Sequence, residues 1–335
     1  MNVTILDTTI GSTDRGDDIV LQNCEKAIQP LIDNSFSMRF ATHLLNFRFY
    51  QYFRNGMKLQ YTDSCDYKFI MGTNLLTSDI ISTRGQWMIG PVSKRLYKDS
   101  ILFGVGTTQD NKKVTPLTKY IYKNILRKDI IHSVRDAQSV HMLEGFLGKG
   151  AVVDTGCPTL WGLTPKVCDR IPIKKARDVI VTLSGYADQQ DPVQDQKMIS
   201  ILEREYEHIY FWAQTSVDVS YYNSLRHSKD ATIIYSLKNY ALLCENANVD
   251  YVGTRLHGGI YAMQHGVRTL VVEIDHRARG FRESNHINTI ERNKIDELPD
   301  ILNGNIKTEI ILKEREIKEF LSQIPFVKEQ ISMME

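Results

Sequence analysis

Residues 251–282 carry the strongest chemical signal in the chain, YVGTRLHGGIYAMQHGVRTLVVEIDHRARGFR. Arg255, Leu256 and His257 come straight after a β-rich run, and Gly258 and Gly259 open a helical pattern. The first N–H groups of a helix have no intrahelical acceptor, so such a junction attracts anions. Glycine there lets a ligand approach the backbone closely. The next apolar run, 269–274, ends in Asp275, His276, Arg277, Ala278 and Arg279. Two strand ends therefore deliver guanidinium groups to one edge of a sheet. From Arg255 to Arg282 there are five arginines, no lysine and two acids, Glu273 and Asp275. Arginine's planar fork bonds carboxylate and phosphate bidentately. Arg255, Arg277 and Arg279, with Gly258, are the expected grip on a small, multiply charged anion. His257 is the expected general acid, because imidazole exchanges protons near neutral pH.

Weaker candidates lie in the first half. Asp14, Gly16, Asp17 and Asp18 fill the turn after the first strand-like run. Asp17 suits orienting or deprotonating a hydroxyl, and Asp14 suits binding one. The same acids also serve helix capping and complement the helix dipole. Gly72-Thr73-Asn74 and Gly104-Val105-Gly106-Thr107 each follow a strand. Asn74 and Thr107 suit a sugar acceptor through amide and hydroxyl groups. Arg135 follows the run 130–134 and is expected to join the anion grip.

These residues need a scaffold. A chain of 335 residues exceeds the ~250–300 at which one core stops growing. Short apolar runs alternate with helical patterns, which predicts two doubly wound, Rossmann-like α/β domains with parallel sheets. The expected boundaries are 1–165 and 177–310, with a helix and tail at 311–335. Residues 157–176 hold three prolines and no clear period, and read as the connection. Asp191 is the expected cap of a helix with Pro192 at its first position. Ile317, Phe320, Leu321 and Ile324 form one apolar stripe that stops at Pro325. Ligands of such sheets bind beyond the carboxyl ends of the strands, here in an expected cleft between the domains.

Charge and composition exclude several classes. Forty-one Lys and Arg against 40 Asp and Glu give a net charge of +1, which argues against a nucleic-acid binder. The N-terminus lacks the basic start and apolar core of a signal peptide. No run approaches the ~18 apolar residues of a spanning helix. The five cysteines are scattered without a C-x-x-C pair, so reduced thiols in a cytoplasmic protein are expected, with no metal site.

Taken together, these motifs resemble the polysaccharide pyruvyl transferase family over nearly the whole chain. Gly16-Asp17-Asp18 looks like the family's glycine–acid turn, with Asp14 where asparagine is usual. F-I-M-G-T-N at 69–74 is similar to a strand that usually ends in several glycines. V-R-D-A-Q-S at 134–139 resembles the family's V-R-D/E-x-x-S segment, and R-L-H-G at 255–258 is the most specific match. I-D-H-R-A-R-G-F at 274–281 resembles a tyrosine–aspartate–proline–lysine run, with Arg277 at the lysine position. The resemblance implies a GT-B fold. It implies transfer of the enolpyruvyl unit of phosphoenolpyruvate to two sugar hydroxyls, giving a pyruvate ketal and phosphate. Phosphoenolpyruvate is then the co-substrate, with no cofactor. The acceptor is a sugar or lipid-linked oligosaccharide of capsule, exopolysaccharide or cell wall, and a lipid-linked acceptor implies contact with the inner membrane face. Two alternatives stay open. One is a GT-B glycosyltransferase using a nucleotide sugar, for which Glu283 and Glu291 have the E-x₇-E spacing. The other is a non-catalytic partner of a polysaccharide assembly machine.

Overall fold

The computed structural model describes residues 1–54, 56–81, 87–90, 92–107 and 113–328. The chain forms two compact units. One holds Met1–Ser12, Val20–Pro158 and the chain from Lys313; the other holds Thr13–Ile19 and Thr159–Leu312.

In the first unit, β1 (Asn2–Asp7), β2 (Phe36–Ala41), β3 (Tyr67–Met71) and β4 (Ile101–Phe103) run parallel in the order β2-β1-β3-β4. A second parallel pair, β5 (His132–Val134) with β6 (Val152–Asp154), continues from β4 through a Val105–Val134 bridge. The apolar runs of β1, β3 and β4 are buried along nearly their whole length, as strands covered on both faces must be. β2 is not among the strands that apolar runs suggest. Its Phe-Ser-Met-Arg-Phe alternation is that of an edge strand with one face in water, and Phe36 is exposed. The helix Glu314–Leu321 belongs to this unit, where fully buried Phe320 meets Phe103 edge-to-face at 4.9 Å. The apolar stripe through Phe320 thus does packing.

The second unit is a six-stranded parallel sheet. Its strands are β7 (Asp178–Thr182), β8 (Ile209–Trp212), β9 (Ala231–Ile234), β10 (Val249–Gly253), β11 (Arg268–Glu273) and β12 (Thr289–Glu291). They lie in the order β12-β11-β10-β7-β8-β9. Counted from β7, this is the Rossmann order, and the direction of winding reverses between β7 and β10. Asp191 caps the helix Pro192–Glu205 as expected, its carboxylate accepting from the Gln194 N–H at 3.1 Å. The proline-rich stretch contains a 3-10 turn at Pro158–Leu160 and a short helix at Pro165–Cys168. All five cysteines are free thiols. Among the described residues, no helix is long and apolar enough to cross a membrane.

One arginine of the 255–282 group lies away from the others. Arg268 sits at the amino end of β11, only 2% exposed. It pairs with Asp250 at 2.6 Å and donates to the carbonyls of Leu302 and Gly304. Strand direction explains this: Arg268 opens the strand whose other end carries Asp275 and Arg277, so its side chain ties down the opposite edge of the sheet.

Candidate functional site

The β7/β10 switch point is where the Rossmann order opens a crevice at the carboxyl edge. β10 leads there into Arg255 and the helix Leu256–Gln264. Arg255 is 7% exposed. Its Nε donates to Asp218 Oδ2 at 3.2 Å, and one terminal nitrogen donates to Asp218 Oδ1 and to Thr215 Oγ1. The other terminal nitrogen lies 3.5 Å from the Asp14 carboxylate. The Tyr186 ring covers the guanidinium at 4.7 Å. Asp218 is fully buried and also accepts the N–H groups of Gly185, Gln214 and Thr215, at 2.8, 3.2 and 3.1 Å. Burial acts to lower the Arg255 pKa, but Asp218 and Asp14 outweigh it and hold the pKa above its usual value. The cation is permanent and locked in direction. Tyr251 completes the lock by donating to the Arg255 carbonyl at 2.6 Å.

His257 lies in the first turn of the helix, half-buried. The turn at 14–16 belongs to the same unit and comes close to it. A Cβ on Gly16 would stand 3.7 Å from His257 Nδ1 and 3.0 Å from both Asp14 Oδ1 and Gln214 Nε2. Asp14 Oδ1 accepts from the Gly16 N–H (2.8 Å) and from Gln214 Nε2 (3.0 Å), and Tyr186 donates to Oδ2 at 3.2 Å. Asp17 follows in the first turn of the helix Arg15–Ala27, half-buried. Gly258 faces protein. A Cβ there would meet the Trp212 ring at 2.6 Å and the Tyr251 hydroxyl at 3.0 Å, so packing alone demands glycine.

The neighbouring strand β11 ends in a second cluster. Asp275 caps the helix His276–Asn285, accepting from the Arg277 N–H at 2.8 Å. The Arg277 guanidinium grips the same carboxylate at 2.8 and 2.6 Å. Burial acts to raise the Asp275 pKa, and Arg277 outweighs it and holds it below the usual value. Arg279 reaches toward Glu273 at 3.9 Å, and Arg282 pairs with Glu273 at 3.0 Å. The side chains of Arg277 and Arg279 are 38% and 60% exposed, against 8% for Arg255. A pocket of about 400 Å³ lies here, lined by Asp191, Glu273, His276, Arg279 and Glu291 among others. The arginine excess of 255–282 is thus met by acids remote in sequence, Asp14 and Asp218, as well as by local ones.

In the first unit, the structure brings Arg135 and Asn74 into contact. The Arg135 guanidinium donates to Asn74 Oδ1, and a Cβ on Gly106 would collide with both side chains. Thr107 is buried beside them, bridging to Leu76 and donating to its carbonyl at 3.3 Å. Asn74 follows β3 beside Gly72, whose φ of +67° is the left-handed turn a glycine accepts.

Sequence reasoning missed Asp218, Tyr186 and Gln214. Thr215 and Asp218 form a capping box on the helix Ser216–Ser224, a spacing readable in sequence. That spacing marks a helix start. It does not reveal that the same carboxylate neutralises an arginine 37 residues away. Among the described residues, Asp178, Glu207 and His208 are spaced for a metal ion, but Arg177 already bonds Asp178 through two nitrogens.

The chain is similar in fold to several solved structures. One is a UDP-GlcNAc 2-epimerase from Methanocaldococcus jannaschii solved with UDP-GlcNAc and UDP, at 12% identity and TM-score 0.53, covering 100% of this chain and 99% of that one. A putative UDP-N-acetylglucosamine 2-epimerase from Listeria monocytogenes gives 11% and 0.54, covering 99% and 95%. S. aureus MnaA, solved with UDP, gives 11% and 0.52, covering 91% of each chain. The fold is GT-B, as expected. No curated protein matches by sequence. The profile of the family described as polysaccharide pyruvyl transferase matches residues 28–276, which is most of the chain and includes R-L-H-G, and the chain belongs to that family.

Proposed function

We propose that the protein transfers pyruvate from phosphoenolpyruvate onto two hydroxyls of a sugar in a bacterial surface-polysaccharide precursor, forming a pyruvate ketal and releasing phosphate. The observation that carries this reading is the placement of Arg255 and His257, and of Arg277 and Arg279, on the adjacent carboxyl ends of β10 and β11. Phosphoenolpyruvate holds a phosphate and a carboxylate on a three-carbon frame, so its site needs several cations. Arg277 and Arg279 are exposed enough to trade their own acids for substrate. Arg255, held by Asp218, is left to meet substrate through the terminal nitrogen that lies 3.5 Å from Asp14. The N–H groups of the helix start at Leu256–Gly258 add donors.

His257 gives its proton to the methylene carbon of phosphoenolpyruvate. The double-bond electron pair forms that C–H bond and leaves an oxocarbenium-like centre at the neighbouring carbon. One sugar hydroxyl bonds to this carbon and loses its proton, the bond to the phosphate oxygen breaks, and the second hydroxyl closes the ketal and loses its own. Of the two protons released, one restores His257 and the other leaves with phosphate. Asp17 is assigned to orient or deprotonate a hydroxyl, and Asp14 to bind one. In the first unit, Asn74 and Thr107 are assigned to acceptor hydroxyls, and Arg135, which bonds Asn74, keeps its assignment to the anionic donor.

Thermal unfolding tests the donor. A ligand that binds only the folded state raises Tm by mass action. Phosphoenolpyruvate should raise it and uridine diphosphate should not. A rise with uridine diphosphate alone would replace this reading with a nucleotide-sugar glycosyltransferase.

A further inference from the structure

The 29 residues between Asp33 and Asp63 contain four Lys or Arg and no acid; Arg39 pairs with Asp7 and Glu25, which leaves Arg48, Arg54 and Lys58 to the exposed surface. They lie within the first unit and include the most exposed apolar side chains around its surface loops. Leu45, Phe49, Phe53 and Met57 recur every fourth residue and are 71, 67, 70 and 85% exposed. Arg48 and Arg54 are exposed between them, and Lys58 is exposed just after Met57. The segment is anchored from below. Buried Tyr52 and half-buried Phe47 pack edge-to-face at 5.6 Å, and Arg95 donates to the Tyr52 carbonyl at 3.1 Å. Phe49 and Phe53 touch at 5.1 Å, and Arg54 lies over the Tyr50 ring at 5.2 Å. Phe53 also lines a groove of about 380 Å³ whose rim carries Lys94, Arg95 and Lys98. The first acid after the segment, Asp63, is held by Arg95 at 3.1 Å.

Four large apolar side chains this exposed within thirteen residues, two of them in contact, mark a surface that an occupant covers. A second copy of this chain fits poorly. A two-fold contact would set this patch against itself and bring its cations together. Large apolar side chains interleaved with Lys and Arg match a bilayer surface, where rings enter the headgroup layer and cations meet anionic phosphates. We propose that residues 45–54 and 56–58, with the Lys94–Lys98 rim, dock the protein on the surface of an anionic phospholipid bilayer. The proposal stands on this surface and not on the chemistry assigned to His257. Vesicle binding without any use of phosphoenolpyruvate would refute the pyruvyl-transfer reading and leave this one standing.

Co-sedimentation of the full chain with vesicles tests it, using phosphatidylcholine alone and phosphatidylcholine mixed with phosphatidylglycerol. The protein should bind the mixed vesicles, lose that binding in high salt, and ignore phosphatidylcholine alone. Reversing two surface charges in an Arg54→Glu/Lys58→Glu variant should weaken binding at least about tenfold. A Phe53→Ser/Met57→Ser variant should weaken it as well, and it serves alone if the charge variant fails to fold. The exposed positions predict unchanged Tm in both. Equal binding to both vesicle types, no binding to either, or full binding by the variants would overturn the proposal. So would a concentration-dependent dimer that Phe53→Ser abolishes.

Discussion

Replacing Arg255 by methionine would leave the Asp218 carboxylate fully buried with three N–H donors and no counter-charge. Breaking a buried pair in this way costs about 3–5 kcal/mol, so the Arg255→Met variant should show a large fall in Tm. Arg277 is more exposed and pairs at the surface, where an ion pair contributes about 0–1 kcal/mol. Arg277→Ala should therefore keep nearly the wild-type Tm and raise the KM for phosphoenolpyruvate. If both variants lose the same stability, the division between a fixed and an exchangeable cation is wrong. His257→Ala should lower turnover ~10²-fold or more while phosphoenolpyruvate still binds, as loss of a proton donor requires. Turnover at the wild-type level would remove that role. R-L-H-G was legible because four informative residues adjoin a strand end. Asp218 was not, since only folding brings it to Arg255. The same limit applies to Arg268, one of the five arginines counted in 255–282, which strand direction places at the other edge of the sheet.

At the scale of single elements, β5 carries a built-in sensitivity to acid. His132 is 1% exposed; Nδ1 accepts from the Leu102 N–H at 3.2 Å, and Nε2 faces the Arg127 carbonyl at 2.9 Å. Burial pushes its pKa down from 6.5 to about 4, against the pull of the Arg127 carbonyl. The folded value lies below the unfolded one, so the neutral ring's contribution is present in full above pH ~6.5. It falls away as pH drops toward 4, by roughly 3 kcal/mol in all. Urea unfolding should show a stability slope across that window, flattened in His132→Gln. A variant with the same slope would locate the sensitivity elsewhere. Strands with continuous apolar runs, such as β3, β7 and β11, were readable because both faces are buried. β2 offers no such run because one face is wet, and β12, Thr-Ile-Glu, holds a single apolar residue. The helix His276–Asn285 was hidden by its polarity, with three arginines in HRARGFRESN. Its cap, Asp275, read as part of a charged loop.

For the molecule as a whole, two parallel α/β units follow from chain length and alternating pattern, and the GT-B fold is the one its structural relatives share. The net charge of +1 hides an uneven distribution. Residues 34–62 hold four cations and no acid of their own, of which Arg39 pairs with Asp7 and Glu25, while the arginines of 255–282 are matched by local carboxylates and by others from distant parts of the chain. Local sequence counts registered the second group and overlooked the first, because compensation is a property of the fold. The most direct test of the account is mass measurement of sugars and lipid-linked sugars incubated with the protein and phosphoenolpyruvate. The account predicts one acceptor that gains the mass of pyruvate less one water, with one phosphate released per gain and no gain in His257→Ala. An acceptor that gains a hexose from a nucleotide sugar and nothing from phosphoenolpyruvate would contradict it.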